Sequence, residues 1–188
     1  MTLAKIISGG QTGVDRGALD AAIAASFPCG GWCPPGRRAE DGPIPGRYPL
    51  AEMPRGRCGA RTLQNIVDSD GTVIVHFGQL EGGTEQTHRH CVRLGKPHLL
   101  VDADRVETAR AYIRVMSFIA LHNIATLNVA GPRASKAPSA QAYSFKVVAR
   151  VLRPPTRTVR LIMVATKVNA RRARERVAMS AKAADLNP

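Results

Sequence analysis

Between Lys5 and Leu152 the chain alternates short β-branched runs with segments of helical length and spacing, and this alternation narrows the fold more than any other property it has. Residues 4–7 (AKII) predict a strand, and residues 14–25 predict a helix whose Leu19, Ile23 and small alanines suit close packing on a sheet. Residues 72–77 (TVIVHF), bounded by Gly71 and Gly78, predict a buried strand. A helix over 84–94 follows, with Gly95 as its stop, then a strand over 98–102. A helix over 106–121, a strand over 124–129 and a helix over 138–152 complete the series. Strands separated by helices imply a mostly parallel sheet covered on both faces, a Rossmann-like three-layer α/β sandwich. Residues 1–152 are expected to form that domain, and 153–188 a basic C-terminal extension.

The charge divides the chain at the same place. Of 27 basic and 14 acidic side chains, residues 1–152 carry 18 and 12, and residues 153–188 carry 9 and 2. More than half of the net +13 therefore belongs to the extension. Pro154-Pro155 ends the preceding helix because proline donates no backbone N–H. Beyond it, TVRLIMVATKV is expected as a strand and NARRARERVAMSAKAADL as a basic helix, a solvated appendage with nucleic acid as a partner through this tail only. No stretch is apolar enough to fill a bilayer, since His122, Asn123, Asn128 and Gly131 break the longest uncharged run. The N-terminus lacks a secretory pattern, so a cytoplasmic protein without membrane contact is expected. Cys29, Cys33, Cys58 and Cys91 show no paired zinc spacing and are expected as free thiols; no metal site is expected.

In an open parallel sheet, ligands bind beyond the carboxyl ends of the strands. Three predicted strands are followed there by SGGQTGVDRG, GQLEGGTEQT and AGPRAS. Gly9, Gly10 and Gly13 let backbone amides approach an anion, and the next helix adds its positive end. Thr12 adds a hydroxyl, and Asp15 and Arg16 can bond polar ligand groups or each other. Gly82-Gly83-Thr84 repeats the arrangement at a second helix start, with Thr87 one turn on. Neither loop matches the Walker lysine pattern or G-x-G-x-x-G. Two such loops on one sheet point to a phosphate-bearing small molecule.

The segment PPGRRAEDGPIPGRYPL is too rich in Pro and Gly for a regular element, yet it holds Arg37, Arg38, Glu40 and Asp41, the composition of a binding loop. Arg61 and Asn65 stand four apart on an expected helix and share a polar face. Asp68 and Asp70 lie in the turn before the central strand, either as paired acids or metal ligands, or as turn residues. No Gly-x-Ser-x-Gly elbow or Cys/His/Asn signature is present, so no catalytic residue is assigned.

ISGGQTGVDRGALDAAI, GGWCPPGRRAEDGPIPGRYPL, RTLQNIVDSDGTVIV, GGTEQT, GKP and LNVAGPRAS together resemble the molybdenum cofactor carrier proteins, a circularly permuted branch of the Rossmann-like, nucleotide-binding SLOG superfamily. The resemblance runs from about Lys5 to Leu152. It implies a cytoplasmic homo-oligomer that binds, stores and protects molybdopterin-type molybdenum cofactor without transforming it, with molybdoenzymes as recipients. By the resemblance, Gly9, Gly10, Gln11, Thr12, Gly13 and Asp15, with Gly82, Gly83 and Thr84, fall at phosphate-binding positions. Arg37, Asp41, Arg61, Asn65, Asp70 and Arg133 are then expected in the same cleft. On this reading the phosphate meets the Gly83 and Thr84 amides, the pterin meets Asp41, Asn65 or Asp70, and Arg37 and Arg133 balance the oxomolybdenum end.

The sequence departs from that family at His88-Arg89-His90, at APSAQAY over residues 137–143, and in the basic tail. Two alternatives stand beside the carrier. One is a nucleoside-monophosphate phosphoribohydrolase resembling the LOG proteins; those carry PGGxGTxxE, whereas this chain has EGGTEQT with Thr87 at the closing Glu position. The other is a nucleotide-binding sensor whose tail contacts a partner.

Overall fold

The computed structural model describes residues 3–54 and 60–184. Cys58 and the last four residues of the tail lie outside the described residues. Five parallel strands form the main sheet: β1 (Lys5–Ile7), β2 (Cys29–Gly30), β7 (Gly71–His76), β8 (His98–Asp102) and β9 (Thr126–Ala130). Their spatial order is β2-β1-β9-β7-β8, so the last strand in sequence lies at the centre. Register sets Ile6 beside Leu127 and Val73 beside Val129, which brings the carboxyl ends of β1, β9 and β7 to one edge.

Among the described residues six α-helices form: α1 (Val14–Ala24), α2 (Ala60–Val67), α3 (Gly82–Arg93), α4 (Thr108–His122), α5 (Ala140–Val151) and α6 (Arg157–Ala184). Side chains on a strand alternate between faces, and the strands use both. Val73, Val75, Val101, Leu127 and Val129 join the main core with residues of α1, α4 and α5, whereas Ile74 packs the opposite way with Ile66 of α2 and Cys91 of α3. The architecture is the Rossmann-like α/β sandwich expected. Helix α1 lies tightly on α5 because Gly17 has no side chain, and a methyl there would collide with the Gln141 carbonyl. Helix α3 ends as its glycine predicts: Gly95 is left-handed at φ 61°, and the Lys96 amide bonds Cys91 O at 3.0 Å.

The Pro/Gly-rich segment folds into short pieces. β3 (Trp32–Cys33) pairs with β6 (Ala51–Glu52), and β4 (Arg38–Ala39) pairs with β5 (Gly42–Pro43) after a single 3₁₀ turn at Pro35–Arg37. Its apolar residues Cys33, Ile44, Tyr48 and Leu50 bury against Leu19 of α1.

The tail differs from expectation. TVRLIMVATKV is not a strand; from Arg157 to Ala184 the chain is one 28-residue helix. The 159/163 spacing puts Val159 and Met163 on one helical face against the main core. The tail is therefore not wholly solvated, since Val159 is buried. Among the described residues no helix is long and apolar enough to cross a membrane.

Candidate functional site

A cleft of about 350 Å³ opens at the carboxyl ends of β7 and β9. Gln11, Arg61, the Gly82–Thr84 turn, Arg133 and Lys136 stand on its walls, and His76 and Phe77 at the end of β7 line it too. Arg61, Gly83 and Gly131 are shared with an inner chamber of about 80 Å³. That chamber lies between the sheet and helices α2 and α3, lined by Gly9, Asp15, Thr62, Asn65, Thr87 and Asn128.

The two glycine loops differ in what they offer. In the first, the protein itself takes up most of the groups. Gln11 N donates to Asp15 Oδ2 at 3.3 Å, Thr12 N to Gln11 Oε1 at 3.0 Å, and Val14 N to Pro132 O at 3.2 Å. Gly10 faces Leu50 and Ile44, and Gly13, at φ 77°, lies against the Pro132–Ala134 backbone. Thr12 is buried; its hydroxyl donates to Glu40 and accepts the Ala134 amide at 3.1 Å. Of this loop, Gly9, Gln11 and Asp15 reach the cleft or its chamber, and Gly10, Thr12 and Gly13 line neither.

At the start of α3 the arrangement is open. The amides of Thr84 and Glu85 turn back onto Glu81 O, each at 3.2 Å. The Gly82 and Gly83 amides have no backbone acceptor among the described residues, and a methyl at either position would meet nothing within 4 Å. Both residues border the cleft at the positive end of a 12-residue helix. Of the two amides expected at the phosphate, that of Gly83 is open and that of Thr84 turns back onto Glu81 O. Arg133, half exposed, and Lys136, 3.7 Å from Glu81, add positive charge to the same cleft.

Several residues expected at the ligand are spent elsewhere. Arg37 donates to Ile44 O, Leu50 O, Pro45 O and Tyr48 O at 2.9 to 3.1 Å, clamping the irregular segment onto itself. Asp41 takes both guanidinium nitrogens of Arg16, at 2.5 and 2.7 Å. That bond from Arg16 holds the Asp41 carboxyl below its ordinary range, against a smaller upward push from burial. Asp70 lies at the opposite end of the sheet, where its Oδ2 accepts the Ala125 and Thr126 amides at 3.0 and 2.7 Å. Asp68 accepts from Trp32 Nε1 and Gln64 Nε2, so each acid ties the turn to another segment, Asp68 to Trp32 and Asp70 to the start of β9. Asn65 borders the chamber, but its carboxamide bonds the Trp32 backbone at both ends.

Arg61 holds a pivotal place. Its Nη1 donates to Gly9 O at 2.8 Å and stands 3.5 Å from Asp15 Oδ2, at the boundary between chamber and cleft. Burial raises the Asp15 carboxyl above its ordinary range; Arg61 opposes that shift. Thr62 and Asn128 line the chamber and Lys136 the cleft, three residues to which the motifs assign no ligand contact. Asn128 left one sequence trace, as the only strongly polar residue within an otherwise apolar strand. Glu40, an acid of the irregular segment, bonds Thr12 and Ser135 and lies 3.5 Å from Arg133. Cys29, Cys33 and Cys91 are free, and among the described residues no three His, Cys, Asp or Glu side chains gather at metal-binding distance.

The profile of the circularly permutated YpsA SLOG family matches residues 6–152. A crystal structure of a "Putative molybdenum carrier protein" from Syntrophus aciditrophicus SB is similar to this chain at 43% identity and a TM-score of 0.78, covering 81% of this chain and 96% of that one. Among curated proteins no match is found.

Proposed function

The chain belongs to the circularly permutated YpsA SLOG family, and from that premise we propose that its cleft binds molybdenum cofactor through the cofactor's phosphate, and stores and shields it without chemical turnover. The observation that carries this reading is the open start of α3. Two adjacent amides, Gly82 and Gly83, point no bond at the protein backbone among the described residues and border a cleft that also holds Arg133 and Lys136. A dianionic phosphate gains from the helix end and from the cations together. The similarity to a protein named as a molybdenum carrier supports the identity of the ligand. Release to a molybdoenzyme, and association of like subunits, belong to the same reading.

The test is anaerobic equilibrium binding of purified molybdenum cofactor, with AMP as control, quantifying bound molybdenum and pterin separately after desalting. Near-equal retention of both, with AMP excluded, is expected. AMP retained without pterin would overturn the reading in favour of a nucleotide sensor or hydrolase, which product analysis separates. Gly83→Asp sharpens the test, because position 83 has open space and no left-handed backbone. The variant should fold normally while its negative charge lowers cofactor affinity at least about tenfold, or 1.4 kcal/mol.

A further inference from the structure

The inner chamber adds buried acceptors to the cleft. The outer part offers donors: the Gly82 and Gly83 amides, Arg133 and Lys136. The chamber wall holds donors too, the Gly83 amide and the Thr62 hydroxyl, and it adds three acceptors. Asn128, only 2% exposed, donates from Nδ2 to Thr72 Oγ1 at 3.2 Å, and its carbonyl oxygen accepts no bond among the described residues. Thr87 Oγ1 donates to Gly83 O at 2.8 Å and keeps its lone pairs. Asp15, 7% exposed, is an acceptor that takes the Gln11 amide at 3.3 Å and stands 3.5 Å from Arg61. Asn65 is satisfied at both ends, and Arg61 stands at the boundary.

We infer that the buried acceptors make this chamber a subsite for a ring edge carrying two adjacent donors, the N–H and exocyclic NH₂ of a 2-amino-4-oxopyrimidine ring, with Asp15 as the residue that selects it. The inference deepens the proposed function and rests on it. A chamber of about 80 Å³ takes the edge of a ring, and the remainder of the ligand occupies the cleft, phosphate outward. A carboxylate matches two parallel donors as it matches a guanidinium. An adenine edge, with an acceptor beside its amino group, would set lone pair against lone pair there.

The test compares neopterin monophosphate with its 2-oxo counterpart, the correspondingly substituted lumazine monophosphate, by equilibrium binding to the full chain. The two probes share the phosphate and the bicycle and differ in whether position 2 donates or accepts. The pterin should bind at least about tenfold tighter. Asp15→Asn should bring the two within about threefold by weakening the pterin alone. Relief of a buried charge offsets the lost attraction to Arg61, so this variant should fold, as a thermal melt would verify. Equal affinities in the unaltered protein, or a preference that survives Asp15→Asn, would overturn the subsite. If both probes bind equally and both weaken in Gly83→Asp, the phosphate cradle stands and only the subsite fails. If neither probe nor the cofactor binds, the proposed function fails and the subsite with it.

Discussion

The polar residues of this chain divide between those that bind the protein to itself and those left facing a cavity, and residue type does not reveal the division. Arg37 and Arg133 both look suited to an anionic ligand, yet four backbone carbonyls surround the first and half the side chain of the second is open. The Arg37 contacts predict a stability effect. Arg37→Ala leaves carbonyls of the irregular segment without a donor, which should cost about 2 kcal/mol in chemical denaturation. Arg133→Ala breaks only an exposed 3.5 Å pair and should leave the denaturation midpoint nearly unchanged while weakening the cofactor. If Arg133→Ala instead proves the more destabilising, the clamp role assigned to Arg37 fails. Asp15, Asp41 and Asp70 make the same point among acids: one faces the chamber, one grips Arg16 and one anchors the start of β9.

At the scale of elements, apolar periodicity forecast most of the structure. The strand expected over 98–102 is observed at His98–Asp102, and the helix expected over 106–121 is observed at Thr108–His122. Both are long enough for pattern to dominate over local turn chemistry. Where pattern and length were ambiguous, packing decided. TVRLIMVATKV has strand-like composition, but no main-sheet edge takes it; as helix α6 it lays Val159 and Met163 on the core formed with α4. Removal of residues 153–188 should therefore lower stability by about 2 kcal/mol, the loss of one buried aliphatic side chain and part of a second. Every residue lining the cleft or chamber precedes α6, so affinity for the cofactor should persist in that truncation. A melting temperature that does not move would show α6 to be an appendage after all, and lost affinity would place the tail in the site.

At the scale of the whole molecule, charge links the irregular segment to the rest of the fold and sets an acid limit on stability. For Glu40, burial pushes the carboxyl up, but hydrogen bonds from Ser135 and Thr12 and the nearby Arg133 together bring it below its ordinary 4.5. Asp41 is lowered from 3.8, first by its bond from Arg16. Because both are lower in the folded state, their stabilisation is complete above those ordinary values and disappears as pH falls through the folded ones. Asp15 has the opposite sign: burial raises it, so ionising it costs stability as pH rises past 3.8. Glu40→Gln should accordingly flatten the fall of melting temperature below about pH 4.5, measured by calorimetry across an acid series. An unchanged slope would remove Glu40 from the acid response. The sequence by itself determined the alternation of strand and helix, the glycine-rich loops beyond three strand ends, and a basic tail set apart by two prolines. These are local properties, set by side-chain period and by the backbone freedom of Gly and Pro. Only the tertiary structure decided which of those loops is open. Leu50, Ile44 and Glu40, 28 or more residues away in sequence, fold over the first loop, and nothing comparable covers Gly82 and Gly83. Such long-range contacts have no period, so a ligand-facing amide and a protein-facing one read alike until the chain closes around them.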